Sequence, residues 1–141
     1  MMHFRRKQRT RHCYDQRVVT VQTWLVVDAV LDNVISVEIR STGESEIERA
    51  QSLRKRGWEL SAAHPLRGHG PVGWPPTDAT LGIELEASDL AFVRTQVDAA
   101  IDTAARILAS ERIAPQSRAE QERSIAGLER ACAELVQLNG A

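Results

Sequence analysis

The pattern of apolar and polar positions changes abruptly at residue 18 and predicts the first two elements. From there apolar residues alternate with more polar ones up to Ala29, and the alternation returns over Ile35, Val37 and Ile39. Asp32 and Asn33, between the two runs, are typical of a turn because both tolerate a left-handed backbone. We therefore predict a β-hairpin over residues 18–40 with one buried face.

A short amphipathic helix is predicted over residues 44–56. Ile47, Ala50 and Leu53 form its apolar stripe, while acidic residues at its start and basic residues at its end complement the helix dipole. Gly57 stands where helices often end. Alternation over residues 58–63 then predicts a third strand, with Trp58 buried between this helix and the sheet.

The residues from Leu53 to Leu60, LRKRGWEL, resemble the helix-Gly-Trp-Glu-Leu-strand junction of small bacterial and phage domains. The resemblance covers these eight residues and implies no activity.

The second half of the chain predicts a loop, a strand and two long helices. Residues 64–78 are rich in proline and glycine, residues 80–86 alternate, and apolar stripes run through residues 89–112 and 117–139. The order ββαββαα predicts an α+β fold: a four-stranded antiparallel sheet with one short helix and a C-terminal helical hairpin.

Composition adds a division between a basic arm and an acidic body. Residues 1–17 carry six basic groups against one aspartate, whereas residues 18–141 carry a net charge of −6. The first segment has no apolar period, so we predict a disordered arm followed by one domain over residues 18–141.

The two cysteines and the length of the apolar runs bear on the cellular location. Cys13 and Cys132 form no disulfide framework, and no apolar run reaches the roughly 20 residues of a membrane span. We expect reduced thiols, a cytoplasmic location and no membrane partner.

The predicted loop is the first candidate site. His64, Arg67, His69 and Trp74 lie within eleven residues, and loops of this length are often functional. The histidines could ligate a metal and Arg67 could hold an anion, but no further Cys or His completes a structural zinc site. We expect no metal and no cofactor. The loop then either contacts a ligand or partner, or is a crossover with Trp74 folded back on the sheet.

The arm is the second candidate site. Its basic residues could contact the phosphates of a nucleic acid, which would give affinity without sequence specificity. No helix-turn-helix or zinc-finger pattern accompanies it, and the alternative is a solvated tail. The candidate contacts are Arg5, Arg6, Lys7, Arg9 and Arg11.

No catalytic residues can be named. The carboxylates of the predicted strands fall on the solvent-exposed face of the predicted sheet, and Cys132 falls on the apolar stripe of the last predicted helix. The P-loop, G-x-S-x-G, H-E-x-x-H and dinucleotide-binding patterns do not occur in the sequence.

The long helix over residues 89–112 leads to the functional hypothesis. Its apolar residues follow a coiled-coil-like four-three spacing. If the helical hairpin lies on the sheet, the protein can be monomeric. If the hairpin projects from the sheet, which we favour, it needs a partner at Val97, Ile101, Ala104 and Leu108. We therefore predict a non-enzymatic protein-interaction or adaptor domain that acts as a homo- or hetero-oligomer. The alternatives are a nucleic-acid-associated accessory protein that uses the arm, and a small-ligand-binding protein or enzyme that uses loop 64–78.

Overall fold

The structure is a computed structural model that describes residues 14–38, 44–110 and 112–137. Its elements follow in the order strand, two helices, strand, two helices, with one turn of 3₁₀-helix at Pro71–Gly73 in the connection to the second strand. They are β1 (Tyr14–Thr20), α1 (Val21–Glu38), α2 (Glu44–Ala63), β2 (Thr80–Glu86), α3 (Ala87–Leu108) and α4 (Pro115–Gln137).

The described residues form an antiparallel sheet of two strands, so the predicted four-stranded sheet is wrong. β1 pairs with β2 from Tyr14 opposite Glu86 to Thr20 opposite Thr80. β2 lies over the predicted range and alternates as expected, with three apolar side chains buried between exposed ones. The buried side chains of β2 are Leu81, Ile83 and Leu85.

The predicted N-terminal hairpin is replaced by a strand and a helix. β1 begins at Tyr14, inside the segment predicted as the arm, and residues 1–13 lie outside the described part of the chain. Residues 21–38 form α1 because their apolar residues also satisfy the helical spacing of three and four, and burial of that stripe overrides the strand preference of valine. The buried stripe consists of Val21, Trp24, Val27, Leu31 and Val34.

The predicted strand over residues 58–63 is also helical, because α2 continues through Gly57 to Ala63. A Cβ at position 57 would lie 1.9 Å from Nε1 of Trp24, so Gly57 permits close packing of α2 on α1 rather than ending the helix. Trp24, on the buried stripe of α1, is fully buried. Trp58 was predicted to be buried, but its side chain is 53% exposed. The resemblance of residues 53–60 to a helix-strand junction therefore does not extend to structure.

The core lies between the sheet and all four helices. α3 and α4 are within a few residues of the two predicted C-terminal helices, and both contact α1. Val97 of α3 and Leu128 and Leu135 of α4 belong to the same buried cluster as Leu31 of α1. The C-terminal hairpin therefore packs on the rest of the domain instead of projecting from it.

Candidate functional site

The four candidate residues of the loop lie in different environments. Trp74 is buried in the core, whereas Arg67 and His69 are exposed. His64 is used within the chain: its Nε2 lies 3.2 Å from the carbonyl oxygen of Thr80, and its Nδ1 accepts a hydrogen bond of 3.0 Å from the N–H of Leu66. Within the described ranges, no group of three or more potential metal-ligating side chains is found.

Two of the four predicted interface residues are core residues of a single chain. Val97 and Ala104 are buried, and Ile101 and Leu108 are half-buried. α1, which was not predicted, supplies a third helix beside α3 and α4 and covers part of this stripe. Val97 and Ala104 are thus packed within the chain, whereas Ile101 and Leu108 stay partly exposed.

Two further groups of residues were considered in the sequence, the basic residues of the arm and Cys132. The five basic residues of the arm lie outside the described residues. Cys132 is half-buried against the core, with Sγ 4.0 Å from Oδ1 of Asp98.

An ionic network joins α1 to α2 at a surface that the sequence interpretation missed. Asp28 and Asp32 lie one helical turn apart on α1, and Arg54 of α2 reaches both. Arg54 donates from Nε and Nη2 to the carboxylate of Asp28 at 3.0 and 3.3 Å, and from Nη1 to Asp32 at 3.0 Å. The hydrogen bond to Asp28 raises the pKa of Arg54 against the opposing effect of burial, and the charges of both aspartates add to the rise.

Trp58 lies on this network. Its indole Nε1 donates to Oδ1 of Asp28 at 3.1 Å, and the guanidinium of Arg54 lies 5.2 Å from the centroid of its ring. The ring is therefore held in one orientation by a hydrogen bond and a cation–π contact, although it is more than half exposed.

A groove of about 560 Å³ adjoins the ring. We call this region, made by α1 and α2, the Trp58 surface. It combines apolar, aromatic and charged side chains. Its lining residues are Ile35, Gln51, Arg54, Lys55, Trp58, Glu59 and Ala62.

A second arginine cluster fastens α2 to the start of α3. Asp89, which is buried, accepts from Arg49 at 3.2 Å and from Arg56 at 3.4 Å. Arg56 also donates to the carbonyl oxygen of Glu84 at 2.9 Å. Asp89 further accepts from the backbone N–H of Glu86 in the cap of α3. All its carboxylate contacts are internal, so this cluster is structural.

The carboxylate of Glu134 on α4 accepts hydrogen bonds at the N-terminus of α1. Glu134 accepts from the backbone N–H of Thr20 and, at 2.8 Å, from the hydroxyl of Thr23. Thr20 itself caps the helix, since its hydroxyl accepts from the N–H of Thr23 at 3.2 Å. A negative charge at this end of α1 is favoured by the helix dipole. Glu134 therefore fixes the C-terminal part of α4 against the first turn of α1.

Comparison with known proteins identifies no relative: no protein-family model, no curated protein and no solved structure matches the chain. Among the residues that the structure describes, no helix is long and apolar enough to cross a membrane.

Proposed function

We propose that this protein is a non-enzymatic protein-interaction domain that binds its partner, another copy or a different protein, through the Trp58 surface. The observation that carries the proposal is the state of Trp58, which is exposed yet held in place by Asp28 and Arg54.

An exposed side chain that is already held in place lowers the free-energy cost of binding a partner. An exposed indole offers a large apolar area, and a side chain already held in one orientation loses little conformational entropy when a partner covers it. Tryptophan and arginine are also the residue types that most often dominate the binding energy of protein interfaces. The Trp58 surface presents both beside a groove.

A protein-interaction function is still proposed, but the binding surface is now on α1 and α2 instead of on the helix over residues 89–112. Val97 and Ala104 are buried within the chain, so these two residues offer little surface to a protein partner. The Trp58 surface involves neither α3 nor α4.

The two alternative functions gain no support from the described residues. The arm leads into β1 at Tyr14, which pairs with Glu86 of β2, and Glu84 is exposed on the same strand, so β2 adds carboxylates rather than further cations beside β1. In loop 64–78, Trp74 is buried in the core and His64 is bonded within the chain, which leaves Arg67 and His69 as the exposed members of the candidate set.

Site-specific photocrosslinking in the native cell tests the proposal. A photoreactive residue at Ala62, in the groove, should give a discrete adduct, and Trp58→Ala should abolish it. The same residue at Ala126, exposed on α4 and outside the groove, is the matched control and should not give that adduct.

Sedimentation equilibrium assigns the adduct to a second copy or to a different protein. A dimer that Trp58→Ala converts to folded monomers indicates self-association. A monomer that gives no adduct at Ala62, or equal adducts from Ala62 and Ala126, would overturn the proposal.

A further inference from the structure

A second groove, separate from the Trp58 surface, lies where α1, α3 and α4 meet. It has a volume of about 490 Å³, within the range of small-molecule sites in proteins. Its floor is apolar, with Val34, Ala104 and Leu128 buried beneath it, and Val26 and Val30 half-buried at its side.

Polar side chains with unused hydrogen-bonding capacity line this groove at two levels. The amides of Gln96 on α3 and Gln121 on α4 are half-buried, and neither bonds to any other side chain or backbone group in the described part of the protein. A ligand pocket typically combines an apolar lining with a few such groups that orient the bound molecule.

The positive charge of Arg123 in the lining of the groove favours an anionic ligand. Arg123 is the one ionisable side chain in its lining, and it makes no ion pair within the described ranges. The lining contains no carboxylate to repel an anion. A guanidinium pairs well with a carboxylate because its N–H groups match the two oxygens.

We propose that the groove between α1, α3 and α4 binds a small monocarboxylate with an apolar body. The body lies over Val26, Val30 and Leu128, the carboxylate pairs with Arg123, and the amide of Gln121, two residues before it on α4, bonds to the same polar end. This site is independent of the proposed protein interaction, since the two grooves share no residue.

Calorimetric titration and amide NMR of the full chain test the site with three ten-carbon probes kept below micelle formation. Decanoate should bind and shift the side-chain amide signals of Gln96 and Gln121. Decanol should bind more weakly, and decyltrimethylammonium should bind least because its charge opposes that of Arg123.

Two pairs of variants locate the binding. Arg123→Gln should weaken decanoate about fivefold, the upper value for an exposed ion pair, while leaving decanol unchanged. Arg130→Gln, an exposed arginine of α4 outside the groove, should change neither. Ala99→Phe should fill the groove and abolish binding of both, whereas Ala105→Phe, also exposed on α3 but not in the lining, should not.

Three results of these measurements would contradict the proposed carboxylate site. No binding of decanoate to the folded protein at millimolar concentration would overturn it. Equal binding of the cationic probe, or decanoate binding that survives Ala99→Phe in a folded variant, would overturn it as well.

Discussion

The substitution Gly57→Ala separates two interpretations of the same residue. Position 57 is inside α2, where helix propensity alone favours alanine over glycine by about 1 kcal/mol. The structure indicates the opposite sign, because Gly57 is the point at which α2 meets the indole of Trp24.

The magnitude follows from the distances. A Cβ at position 57 would lie 1.9 Å from Nε1, 2.7 Å from Cε2 and 2.8 Å from Cδ1 of Trp24, far inside van der Waals contact. Trp24 is fully buried and cannot swing into solvent, so α1 and α2 must separate. Overpacking of this kind costs about 1–3 kcal/mol, and we expect the upper end. After the gain in propensity, the variant should be less stable by about 2 kcal/mol.

Gly127→Ala is the matched control. Gly127 is also inside a helix, α4, but the atom nearest to its added Cβ is a methyl carbon of Val26 at 3.9 Å, an ordinary contact. This variant should be more stable than the parent by up to about 1 kcal/mol. Urea unfolding followed by far-ultraviolet circular dichroism measures both, and the two identical substitutions should differ by about 3 kcal/mol.

A double-mutant cycle identifies the cause. In a Trp24→Leu background the smaller side chain leaves room for the alanine, so Gly57→Ala should lose most of its cost, with a coupling energy of about 2 kcal/mol. A Gly57→Ala protein as stable as Gly127→Ala, or a cost that persists without the indole, would refute the close approach of α2 to Trp24.

Three further substitutions test the other contacts by the same unfolding measurement. Trp58→Ala should cost about 1 kcal/mol or less, because the ring is exposed; a loss of 3–5 kcal/mol would instead indicate a buried core aromatic. Asp89→Ala removes both a helix cap and the acceptor of two arginines, and should cost about 2 kcal/mol; a neutral result would mean that the cluster does not hold α2 to α3. Glu134→Ala should cost about 1 kcal/mol by exposing the first turn of α1, whereas an unchanged midpoint would exclude its role there.

The second half of the chain was the more predictable from sequence for a local reason. In β2 the apolar residues occupy every second position and no helical stripe competes, so the strand lies where the alternation places it. In α3 the buried residues Leu90, Val93, Val97 and Ala104 follow helical spacing without an alternative period. Each pattern fits one element and is independent of distant residues.

The first half could not be predicted in this way, because its patterns fit more than one element. In residues 21–34 apolar residues are frequent enough to satisfy both a strand and a helix, and burial against α2, α3 and α4 decides between them. β1 carries the polar run Tyr14–Arg17, which forms a strand because it pairs with β2 more than sixty positions along the chain. Pairing between residues so far apart in the chain cannot be recognised from the local pattern of apolar and polar residues.

The exposure of Trp58 and the burial of Trp24 both follow from the continuation of α2 through Gly57. Successive residues of a helix are rotated by about 100°, so when Gly57 faces Trp24 in the core, Trp58 must point away from that contact. Arg54 and Trp58 are four residues apart and therefore share a face, which α2 turns toward Asp28 and Asp32 of α1. A strand beginning at Trp58 would instead have separated the indole from Arg54. The Trp58 surface is thus a consequence of one glycine retained inside a helix, and its geometry should be lost together with the contact between Gly57 and Trp24.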